Sequence, residues 1–212
     1  MKVAVVGGGA WGTALGDLLA RKGEDVTLWA RESEVIESIN RRHVNEMFLP
    51  NAALAPTLRA EGDLAKSVAG ALVVVSAAPA HVVRPVMQQA ARALERSTPL
   101  VISASKGLDP DHLERPSSVL REVLPAGAPI AVLSGPSFAL EVFQRQPTAV
   151  VAAAADHSVA QRAQQVFSTS YFRVYSHTDV IGVELGGALK NVIAVAAGIL
   201  EGLGLGFNAR AA

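Results

Sequence analysis

The stretch Val3-Ala4-Val5-Val6-Gly7-Gly8-Gly9-Ala10-Trp11-Gly12 decides the fold of this chain. Its four apolar residues predict a short strand buried on both faces, and the glycines that follow predict a tight turn into a helix. Gly7, Gly9 and Gly12 match the pattern G-x-G-x-x-G in that context. Gly7 allows the turn, Gly9 lets phosphates approach the backbone, and Gly12 lets the helix pack on the strand. The stretch therefore predicts a dinucleotide site, where the helix that starts near Ala10 adds positive potential.

Short β-branched runs alternate with longer helical stretches along the rest of the chain. The predicted strands are Val3–Val6, Asp25–Trp29, Ala71–Ser76, Pro99–Ser103, Ile130–Leu133, Thr148–Ala153 and Phe172–Tyr175. The predicted helices are Trp11–Lys22, Glu32–Arg42, Leu64–Ala69, Val82–Leu94, His112–Val123 and Val159–Phe167. This alternation predicts the α/β class, with a Rossmann-type, doubly wound and mainly parallel sheet that has helices on both faces.

The composition changes near Thr178, where a long helix rich in Gly and Ala begins. Asp179 is its predicted N-cap, and the helix runs to about Leu203. We therefore assign residues 1–177 to the sheet domain. Residues 178–212 are assigned to the first helix of an all-α substrate domain, incomplete here. An apolar helix at the end of a chain has nothing left to pack on, so we expect the sequence to be a fragment.

The overall composition narrows the classes of function. The 19 basic and 19 acidic residues are balanced, which argues against a nucleic-acid-binding protein. Without cysteine the chain has no disulfide framework and no thiolate metal site, which fits a cytoplasmic location; no metal is predicted. No export signal is visible, and the apolar run Val192–Leu200 is shorter than the ~20 residues that a bilayer requires. We therefore predict no membrane span.

The end of the second strand bears on the choice of cofactor. Trp29-Ala30-Arg31 places no carboxylate at the strand end, and an arginine there can pair with a 2′-phosphate. Arg31 therefore predicts that NADPH is accepted, against the alternative of a solvated surface arginine. Glu32 and Glu34 are interpreted as residues of the next helix's first turn. The sequence leaves the preference between NADPH and NADH open.

A second loop is expected to face the glycine turn. Ser76–His81 begins at the end of the predicted strand Ala71–Ser76, and a reversal of strand order between this strand and the first one places the loop across the cofactor crevice. Pro79 shapes that loop and is predicted to contact the cofactor. His81 is interpreted as an early helix residue.

Three segments carry polar groups where apolar packing is expected: Lys106–Leu108, Ser134–Ala139 and Gly186–Asn191. The first two follow predicted strands, whose carboxyl ends line the ligand crevice of a parallel sheet. Lys190 is the lone charge between Glu184 and Glu201 in an apolar helix. The alternative interpretations are a snorkelling lysine at position 190 and a loop-tip lysine at position 106.

These segments resemble the bacterial NAD(P)-dependent glycerol-3-phosphate dehydrogenases. The resemblance covers the whole chain, in the family's order, through Gly7–Leu15, Asn45–Pro50, Lys106–Leu108, Ser134–Ala139, Phe172–Tyr175, Ile181–Asn191 and Phe207–Ala211. It implies reversible hydride transfer between NADPH or NADH and dihydroxyacetone phosphate. The product, sn-glycerol 3-phosphate, would serve phospholipid synthesis.

The resemblance also implies roles for individual residues. Lys190 matches the proton acceptor and donor, and Lys106 matches a contact to both substrate and cofactor. Gly135 and Ser137 match substrate contacts, and Trp11, Arg31 and Ala139 match cofactor contacts. Asn191 would orient Lys190 or hold substrate hydroxyls, and we expect Lys190 to be partly buried near a second lysine.

The sequence departs from the family at three places. Ala77–Ala80 lacks a hydroxyl that the family often has there, and Leu140 stands where a charged residue is common. The family continues into a helical domain whose Asp and Arg-Asn pair grip the substrate phosphate, and this region is outside the chain. The chain is therefore expected to bind cofactor better than it turns over substrate.

Two alternatives stay open. One is another dehydrogenase with a Rossmann domain and a helical domain, of the hydroxyacyl-CoA or 6-phosphogluconate type. The other is a truncated, non-catalytic nucleotide-binding module. A homodimer is compatible with either, and the sequence does not fix the oligomeric state.

Overall fold

The computed structural model describes residues 1–94 and 98–211, which form an eight-stranded sheet flanked by helices. The strands are β1 Lys2–Val6, β2 Asp25–Trp29, β3 Arg59–Glu61, β4 Val73–Ser76, β5 Leu100–Ser103, β6 Ile130–Ser134, β7 Thr148–Ala153 and β8 Phe172–His177. The helices are α1 Ala10–Arg21, α2 Ser33–Arg42, α3 Leu64–Val68, α4 Ala80–Leu94, α5 Pro116–Val123, α6 Ala139–Phe143, α7 His157–Phe167, α8 Val180–Gly202 and α9 Phe207–Ala211.

The strand order is β3-β2-β1-β4-β5-β6-β7-β8, so the order reverses at β1. Every pairing is parallel except that between β6 and β7, which is antiparallel. This confirms the predicted Rossmann-type, mainly parallel sheet. The reversal leaves a crevice between the carboxyl ends of β1 and β4, where ligands bind in folds of this kind.

Alternation along β1 supplies both layers of the core. Val3 and Val5 belong to one buried cluster, which includes Leu15 of α1 and residues of α7. Ala4 and Val6 belong to the second cluster, which contains residues of α3, α4 and α5. Because both faces are covered by helices, the strand is apolar at every position rather than at every second one.

The structure moves one predicted boundary by four residues and several others by one or two, and it adds three short elements. The helix predicted over His112–Val123 begins instead at Pro116, which occupies its first turn. The preceding residues form a turn in which Asp109 Oδ1 accepts hydrogen bonds from the amides of Asp111 and His112. The edge strand β3 and the short helices α6 and α9 lie outside the predicted elements, because three to five residues carry too little periodicity to predict.

The long helix α8 has the predicted N-cap, since the Asp179 side chain accepts a hydrogen bond from the Gly182 amide at 2.8 Å. The helix is 23 residues long and contains an 18-residue window with a mean hydropathy of 1.6, so by length and composition it is capable of crossing a membrane. Val192–Leu200 alone is too short, but the helix also includes the apolar residues that precede Lys190 and Asn191. One such helix is weak evidence, because core helices of other proteins share these properties. The absence of a span therefore stays a prediction.

Candidate active site

A crevice with a volume of about 1220 Å³ opens where the strand order reverses. Its walls come from the glycine loop after β1, the loops after β2, β4, β5 and β6, and one face of α8. The position is the one that the sequence predicts from the carboxyl ends of parallel strands. The crevice therefore brings together segments that are far apart in the chain.

The glycine loop is shaped for a ligand that approaches the backbone. Gly7 has φ +130, and a Cβ there would lie 2.9 Å from the carbonyl carbon of Ala77. At Gly9 a Cβ would meet nothing within 4 Å, so the loop faces open space. No side chain of the described residues caps the start of α1, so its first N–H groups are left for a ligand. The geometry fits a diphosphate at the helix N-terminus.

Gly12 has a packing role rather than a place on the crevice wall. A Cβ at this position would collide with the carbonyl oxygen of Gly7, and it would lie 3.3 Å from the Ala77 side chain. Gly12 is not among the residues that line the crevice. Its contribution to cofactor binding is thus to let α1 approach β1, as predicted for the third glycine of the pattern.

A buried asparagine holds the glycine loop from behind. Asn45 Nδ2 donates hydrogen bonds to the Gly8 carbonyl at 2.9 Å and to Thr13 Oγ1 at 2.7 Å. Asn45 and Thr13 are fully buried, and Thr13 Oγ1 also lies 3.3 Å from the Gly8 carbonyl. The sequence showed Asn45 only as part of a family motif, because its contact to Gly8 spans 37 positions.

Lys106 is held within the crevice by three neighbours. Its Nζ donates to the Gly135 carbonyl at 3.1 Å and to Ser137 Oγ at 3.0 Å, and it lies 5.6 Å from the centre of the Trp11 ring. Trp11 is itself fixed by a hydrogen bond from Nε1 to the Ala104 carbonyl. Burial lowers the pKa of the Lys106 amine, and the positive charge of Lys190 lowers that pKa further.

Lys190 faces the same crevice from α8. Its Nζ donates a hydrogen bond to Asn191 Oδ1, so the predicted pairing of Lys190 with its neighbour is present. Contrary to the expected partial burial, Lys190 is exposed in this structure. The physical reason is that much of the surface of α8 is uncovered within the described chain.

The helix α8 approaches the sheet closely at one glycine. A Cβ on Gly187 would collide with Ser134 Oγ at the end of β6, so only glycine fits at this position without movement. Three residues further along, Lys190 also lies on the crevice wall. Gly187 thus lets α8 lie close to the end of β6, on the same crevice wall as Lys190.

At the far edge of the crevice, Arg31 and Glu32 form an ion pair. Arg31 Nε and Nη2 lie 3.2 and 3.0 Å from Glu32 Oε1. The Arg31 side chain is 83% exposed and that of Glu32 is 24% exposed. Glu32 is the N-cap residue of α2 and lines the crevice, whereas Glu34 is an exposed first-turn residue. The interpretation of Glu32 as a helix residue without a site role is thus incomplete.

The structure brings almost all of the predicted site residues to one crevice. Those on its walls are Gly7, Gly9, Ala10, Trp11, Arg31, Pro79, Lys106, Gly135, Ser137, Ala139, Lys190 and Asn191. His81 also borders the crevice, as a first-turn residue of α4. Pro79 lies in the loop after β4, where Ser105 Oγ donates to the Ala78 carbonyl at 2.6 Å. The roles of these residues remain predictions.

The fold and the crevice define a dinucleotide-binding protein of the Rossmann class. Residues 2–160 match the family model described as the NAD-dependent glycerol-3-phosphate dehydrogenase N-terminus, and residues 179–212 match the corresponding C-terminus. The chain belongs to the NAD-dependent glycerol-3-phosphate dehydrogenase family. This membership sets aside the hydroxyacyl-CoA and 6-phosphogluconate types.

Individual relatives agree with this assignment. The chain is 50% identical over 213 residues to a glycerol-3-phosphate dehydrogenase [NAD(P)+] of Geobacter sp. (strain M21), covering all of this chain and 63% of the relative. The crystal structure of glycerol-3-phosphate dehydrogenase from Coxiella burnetii is 37% identical with a TM-score of 0.88, over 99% of this chain and 64% of that one. The enzyme from Saccharomyces cerevisiae is 32% identical with a TM-score of 0.84, over 100% and 66%.

The chain spans 63% of the length of the Geobacter relative that it matches. The match to the second family model covers the last 34 residues of this chain, which contain α8 and α9. For this chain, the activity of the relatives is therefore a proposal.

Proposed function

We propose that this chain forms the cofactor-binding part, and one wall of the substrate site, of an NAD(P)-dependent glycerol-3-phosphate dehydrogenase. The reaction is reversible hydride transfer between NADPH or NADH and dihydroxyacetone phosphate, which gives sn-glycerol 3-phosphate for phospholipid synthesis. One observation carries the proposal: the amines of Lys106 and Lys190 face one crevice together with an open glycine loop. The names of the relatives support it.

The cofactor's diphosphate is proposed to bind at the loop Gly7–Gly9 and the start of α1. Open space at Gly9 and the unpartnered first turn of α1 support this placement. Trp11, Pro79 and Ala139 line the adjoining walls, and Arg31 borders the edge where the adenosine ribose is expected. When bound, the nicotinamide supplies or accepts the hydride.

The two lysines are proposed to stabilise negative charge and to transfer a proton at the substrate carbonyl. Negative charge develops on the ketone oxygen during reduction, and the ammonium of Lys190 stabilises that charge and then donates the proton. Proton transfer by a placed group contributes typically ~10²–10⁴-fold. The hydrogen bond to Asn191 Oδ1 orients the Lys190 amine. Lys106, Gly135 and Ser137 form one polar cluster, which is suited to the hydroxyl and carbonyl groups of the substrate.

We further propose that residues 1–177 form the cofactor domain and that residues 178–212 begin a helical substrate domain in a cytoplasmic enzyme. The two family matches, 2–160 and 179–212, support this division. Protein, rather than lipid, is the proposed cover of the exposed apolar surface of α8. Its charged residues support this, because a lysine in the middle of a membrane-spanning helix costs about 2.5–3.5 kcal/mol on insertion scales.

The test is dihydroxyacetone-phosphate-dependent oxidation of NADH and NADPH, in the chain itself and in a chimera that adds the remaining length of the Geobacter relative. We expect Lys190→Ala to lower kcat of the chimera at least a hundredfold, within the range of general acid catalysis, with cofactor affinity nearly unchanged. The control is Lys66→Ala, because Lys66 is an exposed lysine of α3 away from the crevice. Equal kcat values for wild type and Lys190→Ala refute the role of Lys190. Cofactor binding without turnover in the chimera favours the non-catalytic module.

A further inference from the structure

The end of β2 carries the groups that distinguish two nicotinamide cofactors. In Rossmann-type domains a carboxylate here accepts a hydrogen bond from the ribose 2′-hydroxyl of NAD, and an arginine accommodates the 2′-phosphate of NADP. This chain has both groups on the crevice wall, in adjacent residues, Arg31 and Glu32. The preference between NADH and NADPH therefore depends on how these two side chains are arranged.

The arginine is already engaged. Two of its nitrogens, Nε and Nη2, donate to the same oxygen of Glu32, at 3.2 and 3.0 Å. The Arg31 side chain extends into solvent with 83% of its surface exposed, whereas the Glu32 side chain is 24% exposed. A 2′-phosphate would therefore share Arg31 with a carboxylate that is more enclosed than the arginine itself.

The carboxylate keeps one oxygen for a ligand. Glu32 Oε1 accepts both bonds from Arg31, and Oε2 accepts none from the residues that the structure describes. Among the described crevice-lining residues, Glu32 is the one carboxylate. A ribose hydroxyl can donate to Oε2. A phosphate of charge about −2 is repelled by it, because like charges a few ångströms apart interact unfavourably even near a surface.

We infer that Glu32 is a specificity-determining residue that makes this crevice favour NADH over NADPH. Glu32 accepts the ribose 2′-hydroxyl of NADH, repels a 2′-phosphate and competes with it for two nitrogens of Arg31. The ion pair thus reverses the preference that an unpaired Arg31 predicts. The inference rests on the proposed function, because it requires a dinucleotide in the crevice.

The experiment measures dissociation constants of NADH and NADPH for the chain itself, by nicotinamide fluorescence at one fixed ionic strength, since salt screens the phosphate. We expect wild type to bind NADH about tenfold more tightly, a difference of about 1.4 kcal/mol. Glu32→Gln keeps an acceptor but removes the charge, so it is expected to tighten NADPH binding about tenfold and to change NADH binding less than about threefold. Adding Arg31→Ala to Glu32→Gln should remove the part of the gain that the freed arginine supplies and leave the part that comes from the lost repulsion.

Glu34→Gln is the matched control, since Glu34 is a carboxylate of the same helix outside the crevice wall, and it should leave the NADH/NADPH ratio unchanged. Equal or tighter binding of NADPH by wild type overturns the inference. A ratio that Glu32→Gln leaves at the wild-type value overturns it as well. In both cases the proposed cofactor site still stands, whereas failure of wild type to bind either dinucleotide refutes the proposed function and the inference together.

Discussion

The buried Glu184 of α8 and the partly buried Arg115 at the start of α5 form an ion pair, with 2.8 Å between Glu184 Oε2 and Arg115 Nη1. Ser117 donates to the same carboxylate through its amide at 2.8 Å and its hydroxyl at 2.6 Å. Within the described chain, Glu184 is the one buried residue of α8. A polar network, more than apolar packing, therefore holds the helix that carries Lys190 against the sheet domain.

Glu184→Ala is expected to lower the free energy of unfolding by about 3 kcal/mol, because removal of one partner leaves Arg115 and the Ser117 donors without their acceptor. The measurement is urea unfolding followed by circular dichroism. Glu201→Ala, at an exposed position near the end of the same helix, should stay within about 0.5 kcal/mol of wild type. Similar losses for the two variants would show that the network adds no stability.

Gly187→Ala is expected to leave the chain about 1 kcal/mol less stable than Gly186→Ala does, because its Cβ collides with Ser134 Oγ, which must rotate away and so offsets the gain in helix propensity. Adding Ser134→Ala should restore much of this loss, since the remaining Ser134 Cβ lies 3.7 Å from the new methyl group. Thermal unfolding of the single and double variants measures the coupling between the two sites.

Gly186→Ala serves as the control for that pair, since its Cβ meets nothing within 4 Å. It should stabilise the helix by up to about 1 kcal/mol, the difference in helix propensity between the two residues. Destabilisation by Gly186→Ala equal to that by Gly187→Ala would contradict the contact with Ser134.

Lys106 is expected to contribute a rise in the free energy of unfolding with pH in the alkaline range. Burial, and then the charge of Lys190, lower the pKa of its amine below the ordinary value of 10.5. Between the folded pKa and 10.5 the unfolded chain binds more protons than the folded chain, so the free energy of unfolding increases with pH across that window. Below the folded pKa both states are protonated and the dependence vanishes.

Lys106→Met should flatten this rise, as measured by urea unfolding in steps of pH. Lys190→Gln should raise the pKa of Lys106 towards its ordinary value, because one of the two causes is removed. An NMR titration of isotope-labelled methyl-lysines reads that pKa directly, with Lys66→Gln as the variant that should not move it. An unchanged Lys106 titration in Lys190→Gln would mean that the two amines do not interact.

Asn45→Ala is expected to cost about 1–3 kcal/mol, because the Gly8 carbonyl and Thr13 hydroxyl lose a buried donor. The loss should also weaken NADH binding, since the Gly8 carbonyl orients the loop whose amides face the diphosphate. Calorimetry of unfolding and of NADH binding measures both effects, with Asn208→Ala on the exposed helix α9 as the control. If the Asn45→Ala protein is kept folded at low temperature and binds NADH as tightly as wild type, Asn45 has no role in the cofactor site.

Much of the architecture was predictable because it depends on local patterns. The glycine pattern after β1 and the β-branched runs fixed the sheet type, and Asp179 fixed the start of α8. One exception has a local cause and the other depends on a contact that is distant in sequence. Pro116 begins α5 later than predicted, and β3 is a three-residue edge strand that gains its shape from pairing with β2.

The candidate site was likewise predictable only in those features that depend on local sequence. The sequence by itself determined which residue types would surround the crevice, because Gly7, Lys106 and Ser137 follow strands whose carboxyl ends must meet at one edge of a parallel sheet. Only the tertiary structure decided how those groups pair. The bonds of Asn45 to Gly8 and Glu184 to Arg115 join residues 37 and 69 positions apart, and a one-dimensional pattern carries no signal for them. Even for Arg31 and Glu32, which are neighbours in sequence, only the tertiary structure shows that they form an ion pair on the crevice wall.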